Sequence, residues 1–332
     1  MANIQKHFEK FHDAIRVDYE TSAPLREKRD IILKRIRKYL RDNNLPGVDE
    51  LLQGSYAMKT GVKPIAGLEY DIDVALRFGI KDTEYTAQQV REWIHNSVKG
   101  HTKEVCPKGP CDRVAYTGDG YHVDLVSYAV WEDMFHQDQF RLAHKKSGWR
   151  PADPPRLLAH VDDAMAPYQG TEDAATSTNQ FRRCVRYLRR SSDVAIPKES
   201  DSKPTGLGFV LLAIRSLQPT KSWDGKPDDR KALENMLRSV LGLFPGRIVL
   251  RKPVPEGEDM FARLSDPDMD ALKGRFKLLL SDLEKAGQLI DPADACKLLT
   301  KHFGDDFPVP EPEETGKKTS APAIVPSSSS GA

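Results

Sequence analysis

A Gly-Ser pair at residues 54 and 55 is followed, sixteen residues later, by two aspartates inside an apolar run. The run, Glu-Tyr-Asp-Ile-Asp-Val-Ala-Leu at residues 69–76, predicts a β-strand. Since residues i and i+2 of a strand point to the same face, Asp71 and Asp73 project together while Ile72 and Val74 face a core. Two adjacent carboxylates repel each other unless a cation lies between them. Hard oxygen ligands of this kind suit Mg²⁺ or Mn²⁺.

The Gly-Ser pair predicts a phosphate site beside that strand. Glycine lets the backbone approach a ligand closely, and the start of the helix that follows offers N–H groups to an anion. Ser55 adds a hydroxyl, and Lys59 and Lys63 add positive charge nearby. Taken alone, such a pair is commonly only a turn, so its meaning depends on the strand that follows.

A third carboxylate is expected on a neighbouring strand, where it would position or deprotonate an attacking hydroxyl. The best candidate is Asp124, in the apolar run Tyr-His-Val-Asp-Leu-Val at residues 121–126. This run comes directly after the turn sequence Gly-Asp-Gly at residues 118–120. Asp112 and Asp119 are the alternatives to Asp124. The three carboxylates and the Gly-Ser turn together predict a two-metal nucleotidyl-transfer site.

This ordered set resembles the polymerase-β-like nucleotidyltransferases. The string Gln-Gly-Ser-Tyr-Ala-Met-Lys-Thr at residues 53–60, with Tyr-Asp-Ile-Asp at residues 70–73, is similar to the bacterial cGAS/DncV-like nucleotidyltransferases (CD-NTases) of anti-phage CBASS systems. The resemblance implies an α+β fold. A polymerase-β-like nucleotidyltransferase lobe, with a mixed sheet and helices, would join a helical lobe, and the active site would lie in the cleft between them.

The same resemblance implies roles for individual residues. Asp71 and Asp73 would hold two Mg²⁺ (or Mn²⁺) ions, and Asp124 would bridge the nucleophile-side metal and act as, or orient, the base. The nucleotide-binding residues that it implies are Gln53, Gly54, Ser55, Lys59, Arg189, Lys203 and Thr205. A plain helix N-cap explains Thr205 equally well. The arginine-rich stretch 181–190 is also typical of a solvated helix.

Three functions fit these residues. The first is a cyclic oligonucleotide synthase that makes a second messenger, a cyclic dinucleotide in the simplest case, from ATP and/or GTP, with UTP as a further possible substrate, in anti-phage defence. The second is a nucleotidyltransferase that modifies a protein, a tRNA or a small molecule. The third is an inactive nucleotide-sensing module. The presence of all three carboxylates argues against the third, and the Gln-Gly-Ser-Tyr string favours the first.

The length of 332 residues predicts two lobes, since single cores tend to split near about 250–300 residues. We predict N-terminal helices including an interlobe spine at residues 1–45, the catalytic core at 46–153 and a helical lobe at 154–307. The Pro/Glu and Ser/Ala-rich tail, 308–332, has the composition of a disordered segment. In many relatives of the resembled family, E1/E2-like enzymes conjugate such a tail, so the resemblance implies a partner of this kind. A passive solubilising tail is the alternative, and composition alone fits both equally.

The periodicity of apolar residues predicts the individual elements. Helices are expected at residues 3–17, 24–42, 86–99, 155–166, 178–191, 207–217, 227–243, 267–287 and 291–303. Strands are expected at 113–117, 121–130 and 140–144, with residues 100–112 as a surface insertion, 148–155 as the end of the catalytic lobe, and 251–259 as a loop.

Charge and hydropathy exclude several other classes of protein. Lys and Arg number 50 and Asp and Glu 49, a net charge of +1, which gives no global basic field for long nucleic acid. No apolar run approaches the roughly 20 residues of a membrane span, and no signal peptide is evident. We therefore expect a cytoplasmic protein with no membrane partner.

The four cysteines, at positions 106, 111, 184 and 296, are too scattered for a disulfide scaffold. His101, Cys106 and Cys111 cluster in the insertion, where a zinc site is conceivable. The cluster lacks a clear fourth ligand and the usual Cys-x₂-Cys spacing. Free thiols in a surface loop are therefore the favoured interpretation.

Overall fold

The computed structural model describes residues 3–17, 23–51, 53–65, 69–116, 120–197 and 200–312, without the side chains of residues 23–25 and 71. Its helices are α1 (Gln5–Ile15), α2 (Ala23–Asp42), α3 (Gly54–Ala57), α4 (Ala87–Val98), α5 (Pro154–Asp163), α6 (Gln180–Ala195), α7 (Gly206–Ser216), α8 (Asp229–Leu243), α9 (Asp266–Gln288) and α10 (Pro292–Phe303). Its strands are β1 (Val48–Leu51), β2 (Tyr70–Phe78), β3 (Glu104–Pro107), β4 (Asp112–Tyr116), β5 (Tyr121–Glu132), β6 (Asp138–His144), β7 (Gly148–Ala152), β8 (Arg251–Pro253) and β9 (Glu256–Asp259).

Strands β1 to β7 form one mixed sheet. Its path runs β1-β2-β5-β4-β3, and β6 pairs with the far half of β5 and with β7. Only β2 and β5 run parallel among the described pairs, and their register sets Asp73 directly opposite Asp124. A strand of 12 residues such as β5 is long enough to pair with β4 at its start and β6 at its end.

Helices α2 and α4 cover one face of this sheet. The apolar residues that alternate with the carboxylates point into this layer and are buried: Ile72, Val74, Val123 and Leu125. They pack with the apolar stripes of the two helices, among them Ile32, Ile36, Leu40, Val90 and Ile94. The period of two along β2 and β5 therefore puts the carboxylates on the opposite face, away from α2 and α4.

The second core is helical and contains α1 together with α6 to α10. Phe8 and Phe11 of α1 pack with Tyr187 of α6 and with Phe303 and Phe307. The two N-terminal helices thus join different cores, α1 the helical one and α2 the sheet. The lobe boundaries expected from the sequence stay a prediction.

Several expectations about local structure need correction. Residues 104–107 of the insertion form β3, which pairs with β4, and the following Cys111 is 5% exposed, so this thiol is buried rather than in a surface loop. Residues 148–152 form β7, and 251–259 form the β8–β9 hairpin. These strands are too short to show a period, and they form because a neighbouring strand pairs with them. The tail beyond residue 312 lies outside the described residues.

The solvated interpretation of the arginine-rich helix is wrong. Arg183, Arg186 and Arg190 of α6 are each at most 4% exposed. Arg183 donates to both carboxylate oxygens of Asp229 at 2.7 Å, a bidentate geometry that a buried guanidinium needs. Helix α6 is buried on most sides, and its charge pattern alone could not reveal the carboxylate and carbonyl partners that distant segments supply.

Among the described helices, none combines the length and apolar character that crossing a bilayer needs.

Candidate active site

The catalytic carboxylates expected from the sequence lie on adjacent parallel strands. Asp73 of β2 pairs in register with Asp124 of β5, and both side chains point to the sheet face opposite α2 and α4. Asp73 is half-buried and Asp124 is 7% exposed. The backbone of Asp71 pairs with His122, but the Asp71 side chain lies outside the described residues. The described pair already provides hard oxygen donors side by side.

Arg113 of β4 forms a bidentate ion pair with Asp124. Its Nε and Nη2 donate to Oδ1 and Oδ2, both at 2.8 Å, because the antiparallel register sets the two residues opposite each other. Each carboxylate oxygen has two acceptor positions, so Asp124 can bind Arg113 and still ligate a cation. Sequence reasoning missed Arg113. The alternation of residues along β4 shows which side chains share a face, but it does not show that Arg113 lies opposite Asp124.

The alternative third carboxylates are less suitable. Asp112 is 1% exposed and forms an ion pair with Arg91 of α4 at 3.2 Å, which places it on the other face of the sheet. Burial raises the pKa of the Asp112 carboxyl, and the charge of Arg91 acts against this increase. Asp119 lies outside the described residues.

The Gly-Ser turn contacts Asp73. Gly54 has a φ of +67°, a conformation that glycine adopts without strain, and it begins the single turn of α3. A Cβ at this position would lie 2.2 Å from Asp73 Oδ2. Only a glycine therefore allows the backbone of the turn to lie against the carboxylate. The proposed phosphate site and the proposed metal ligands thus touch.

Tyr128 of β5 fixes Gln53, the residue that precedes the Gly-Ser turn. Its hydroxyl donates to Gln53 Oε1 at 2.7 Å. Burial, together with the nearby charge of Asp73, raises the pKa of the Tyr128 hydroxyl, so it stays a proton donor. Tyr128 is a further residue that sequence reasoning missed, because it looks like an ordinary apolar position of β5.

We expect Tyr128→Phe to lower kcat/KM for a nucleoside triphosphate about 10-fold, since the Gln53 carbonyl loses its donor and the half-buried amide reorients. Steady-state kinetics and thermal unfolding would measure this. Tyr168→Phe, at a second buried tyrosine in the helical core, is the control and should keep the parental rate. Equal kinetics for Tyr128→Phe and the parent would exclude the role of this hydrogen bond.

A cavity of about 440 Å³ opens at this site between the sheet and the helical core. Its wall includes the Gly-Ser turn, Asp73, Tyr128, the start of α5, the start of α7 and the β8–β9 hairpin. The cationic side chains in the wall are Arg150, Arg189 and Lys252, and the acidic ones beyond Asp73 are Asp153, Glu256 and Glu258. Both lobes therefore contribute charge to one cleft.

Only some of the expected nucleotide-binding residues line the cavity. Arg189 lines the cavity and donates to the Thr60 carbonyl at 2.7 Å. Lys203 forms an ion pair with Asp193 and Thr205 is the N-cap of α7, accepting from the Gly208 amide at 3.0 Å. The Lys59 side chain is exposed. Gln53, Gly54, Ser55 and Arg189 therefore share the cavity wall, whereas Lys59, Lys203 and Thr205 are not in it.

Lys252 of the β8–β9 hairpin is the cavity cation that the sequence did not reveal. Burial lowers the pKa of its ammonium group, the Glu258 carboxylate raises it, and Arg150 lowers it further. The sequence predicted only a loop here. No local pattern indicates that a hairpin from the helical part of the chain returns to the catalytic sheet.

No three His, Cys, Asp or Glu side chains converge on a possible metal position among the described residues, which do not include the Asp71 side chain. His101, Cys106 and Cys111 are described and do not form such a group. The His101 ring instead forms a hydrogen bond with the Tyr116 hydroxyl at 2.7 Å, and neither cysteine forms a disulfide with another described residue.

Comparison with known families identifies the segment that contains these residues. Residues 49–128 match the model of the family described as cyclic GMP-AMP synthase DncV-like, nucleotidyltransferase domain. This segment is a DncV-like nucleotidyltransferase domain. Its bounds include the Gly-Ser turn, all of β2, and β5 from Tyr121 to Tyr128, the part that contains Asp124. For this segment, the resemblance to the DncV-like nucleotidyltransferases and the nucleotidyltransferase class are thereby confirmed.

Relatives of the DncV-like domain are distant in sequence. A c-di-GMP synthase of Roseivirga ehrenbergii is 20% identical over 228 residues, which span 63% of this chain and 59% of that relative. The fold is similar to Vibrio cholerae DncV bound to a linear intermediate, 5′ pppA(3′,5′)pG (TM-score 0.74, 14% identity, 91% of this chain and 96% of that chain). It is also similar to a V. cholerae DncV mutant with ATP and GTP (TM-score 0.76, 15%, 92% and 97%). The α+β two-lobe fold class is confirmed.

Proposed function

We propose that the protein is a cyclic oligonucleotide synthase that joins two nucleoside triphosphates, ATP and/or GTP, into a cyclic dinucleotide and releases pyrophosphate. The observation that carries this proposal is the contact of Gly54 with Asp73 in the wall of the interlobe cavity. Asp124 lies opposite Asp73 on the neighbouring strand β5. The names of the DncV and c-di-GMP synthase relatives support it, because each of these proteins makes a cyclic dinucleotide by its printed description.

The chain's own residues would act as follows. Gly54 and Ser55 would bind the donor phosphates, with the Gln53 amide held by Tyr128 in the same turn. Arg189 would contribute positive charge for the departing pyrophosphate, a role that suits a guanidinium beside a triphosphate. In each transfer a ribose hydroxyl oxygen would attack the α-phosphorus while the bond to pyrophosphate breaks. Asp124 would accept, or orient the group that accepts, the hydroxyl proton.

Divalent cations are the general cofactors of this enzyme family, and the residues present fit them. Asp73 and Asp124 offer adjacent carboxylates on one face, Asp71 is on the same strand face, and Asp124 keeps acceptor positions beside Arg113. These three residues would hold two Mg²⁺ or Mn²⁺ ions. When bound, such ions would neutralise triphosphate charge and activate the attacking hydroxyl.

The direct test is incubation of the purified protein with each of the four ribonucleoside triphosphates, singly and in pairs, with Mg²⁺ or Mn²⁺. Chromatography and mass spectrometry should reveal a cyclic dinucleotide and pyrophosphate without any added acceptor. If a nucleotide is transferred only when an acceptor protein, tRNA or small molecule is added, the enzyme modifies that acceptor and the synthase proposal is wrong. An absence of any transfer with every nucleotide would favour the inactive sensing module.

A role in anti-phage defence and conjugation of the C-terminal segment by an E1/E2-like partner both stay predictions. The second falls on residues 313–332, outside the described residues. Truncation after Phe307 tests part of it, because the buried Phe307 ring is kept and basal synthesis should be unchanged.

We expect Asp124→Asn to reduce turnover by about 10²-fold or more while triphosphate binding survives, since the shape is kept and the charge is lost. The same change should lower stability by about 1–3 kcal/mol, because the mostly buried ion pair with Arg113 loses the negative charge of Asp124 and one of its two hydrogen bonds. Turnover, nucleotide titration and thermal unfolding would measure these effects. Parental turnover would show that another carboxylate is the third ligand.

A further inference from the structure

Three arginines of α6 bind the backbone directly after the Gly-Ser turn. Arg182 Nε donates to the Met58 carbonyl at 3.2 Å, Arg186 Nη2 and Nε donate to Lys59 at 2.7 Å and Gly61 at 3.0 Å, and Arg189 Nη1 donates to Thr60 at 2.7 Å. The spacing of four and three residues puts the arginines on one side of the helix. Four consecutive carbonyls, of residues 58–61, thus each accept from α6.

The end of α1 and the residues just after it bind the same segment from another side. The Val17 amide donates to the Gly61 carbonyl at 3.4 Å, and the Lys63 amide donates to Ile15 at 2.7 Å. Ile15 and α6 belong to the helical core, whereas Val17 packs in the core of the sheet that contains Asp73 and Asp124. The segment that continues the phosphate-binding turn is therefore attached to the helical lobe. The two parts of the site depend on different cores.

Arg186 is the central residue of this attachment. It is 4% exposed, and its third contact is the neutral His12 Nε2, at 2.8 Å. No carboxylate pairs with Arg186 within the described part of the chain. Burial and the neighbouring arginines lower the pKa of Arg186 to about 9. Burying a cation that has only neutral partners costs free energy, so packing alone does not explain an arginine at this position.

We infer that Arg186 is a positioning residue for the nucleoside triphosphate, because it fixes residues 59–61 and thereby holds the Gly-Ser turn against Asp73. The substrate in this inference rests on the proposed function, but the attachment itself does not. Arg186 is absent from the cavity wall, so it acts through the turn and not by contact with the nucleotide. The close approach of Gly54 to Asp73 leaves little tolerance, and a displacement of about 1 Å is enough to lower a rate strongly.

Arg186→Lys is the most informative variant, because it keeps the charge and removes the planar fork. A lysine ammonium is a point donor that cannot bind Lys59 and Gly61 in the same geometry. We expect affinity for nonhydrolysable ATP and GTP analogues, measured by titration calorimetry, to fall about 10-fold. We also expect faster hydrogen exchange in the peptide that covers residues 54–63. If only the positive charge of Arg186 matters, Arg186→Lys should keep the parental affinity for the analogues and the parental exchange rate of residues 54–63.

Arg91→Lys is the matched control. Arg91 is also a buried arginine, 6% exposed, that donates to three nearby carbonyls, those of Lys108, Gly109 and Cys111 at 2.8–2.9 Å. It differs from Arg186 in having a carboxylate partner, Asp112, at 3.2 Å. It lies in the sheet lobe and outside the cavity wall. A general loss of stability would affect both variants alike, whereas loss of the attachment affects only Arg186→Lys.

The inference is wrong if Arg186→Lys binds both analogues as the parent does, or if Arg91→Lys loses as much affinity. If Arg186→Lys does not fold, Arg182→Gln replaces it. That side chain is 22% exposed and makes one of the carbonyl contacts, so exchange in residues 54–63 should still increase. If the parent binds neither analogue, the proposed function fails, while unchanged exchange in the variants would separately reject the attachment.

Discussion

Asp73→Asn is expected to reduce nucleotide transfer by on the order of 10³-fold. The amide keeps the size of the carboxylate, so the contact with Gly54 can persist. The substitution removes the negative charge of Asp73, so only Asp124 of the facing pair on β2 and β5 remains charged. A neutral ligand binds a divalent cation weakly, and the triphosphate charge is then poorly neutralised. Product formation with Mg²⁺ and with Mn²⁺ would measure the loss.

The fold of this variant should remain intact. Removing one of several neighbouring carboxylates relieves repulsion, so the unfolding temperature should hold or rise. Asp138→Asn is the control, because it changes an aspartate of the same sheet, on β6, whose side chain is 47% exposed and outside the cavity. Full activity of Asp73→Asn, or its unfolding, would overturn the metal assignment.

Gly54→Ala is expected to lower activity about 10²-fold through a steric conflict at the same point. The new Cβ would lie 2.2 Å from Asp73 Oδ2 and 2.9 Å from its Cγ, so either the turn or the carboxylate has to move. The left-handed backbone conformation at Gly54 adds a cost of about 1 kcal/mol for any residue with a Cβ. We therefore expect lower stability as well as lower activity, measured by denaturant unfolding and by turnover.

Gly148→Ala separates these two causes. Gly148 has the same φ of +67°, and a Cβ there would meet nothing within 4 Å. It should lose about 1 kcal/mol of stability but keep its activity. A further test is Gly54→Ala in an Asp73→Ala background, where the carboxylate is gone and the stability cost of the added methyl should be smaller. Additive costs would show that the clash does not cause the effect.

The sequence alone was sufficient for features that depend on local periodicity. The alternation of β2 placed Asp71 and Asp73 on one strand face, and the burial of Ile72 and Val74 confirms the face that packs against α2 and α4. The Gly-Ser pair followed by these aspartates was specific enough to indicate the family. The main helices were also predicted within a few residues, because a period of 3.6 is visible within a single segment.

Tertiary structure alone decided which distant segments meet at the site. The parallel register of β2 and β5 sets Asp73 opposite Asp124, and the register of β4 brings Arg113 to the same carboxylate. Helix α6 attaches the Gly-Ser segment to the helical lobe, and the β8–β9 hairpin returns Lys252 to the cavity. Strand register and helix packing are set by contacts between residues far apart in the chain, so no local pattern contains them. A row of arginines has the same sequence whether it faces water or four backbone carbonyls, and only the fold decides between the two.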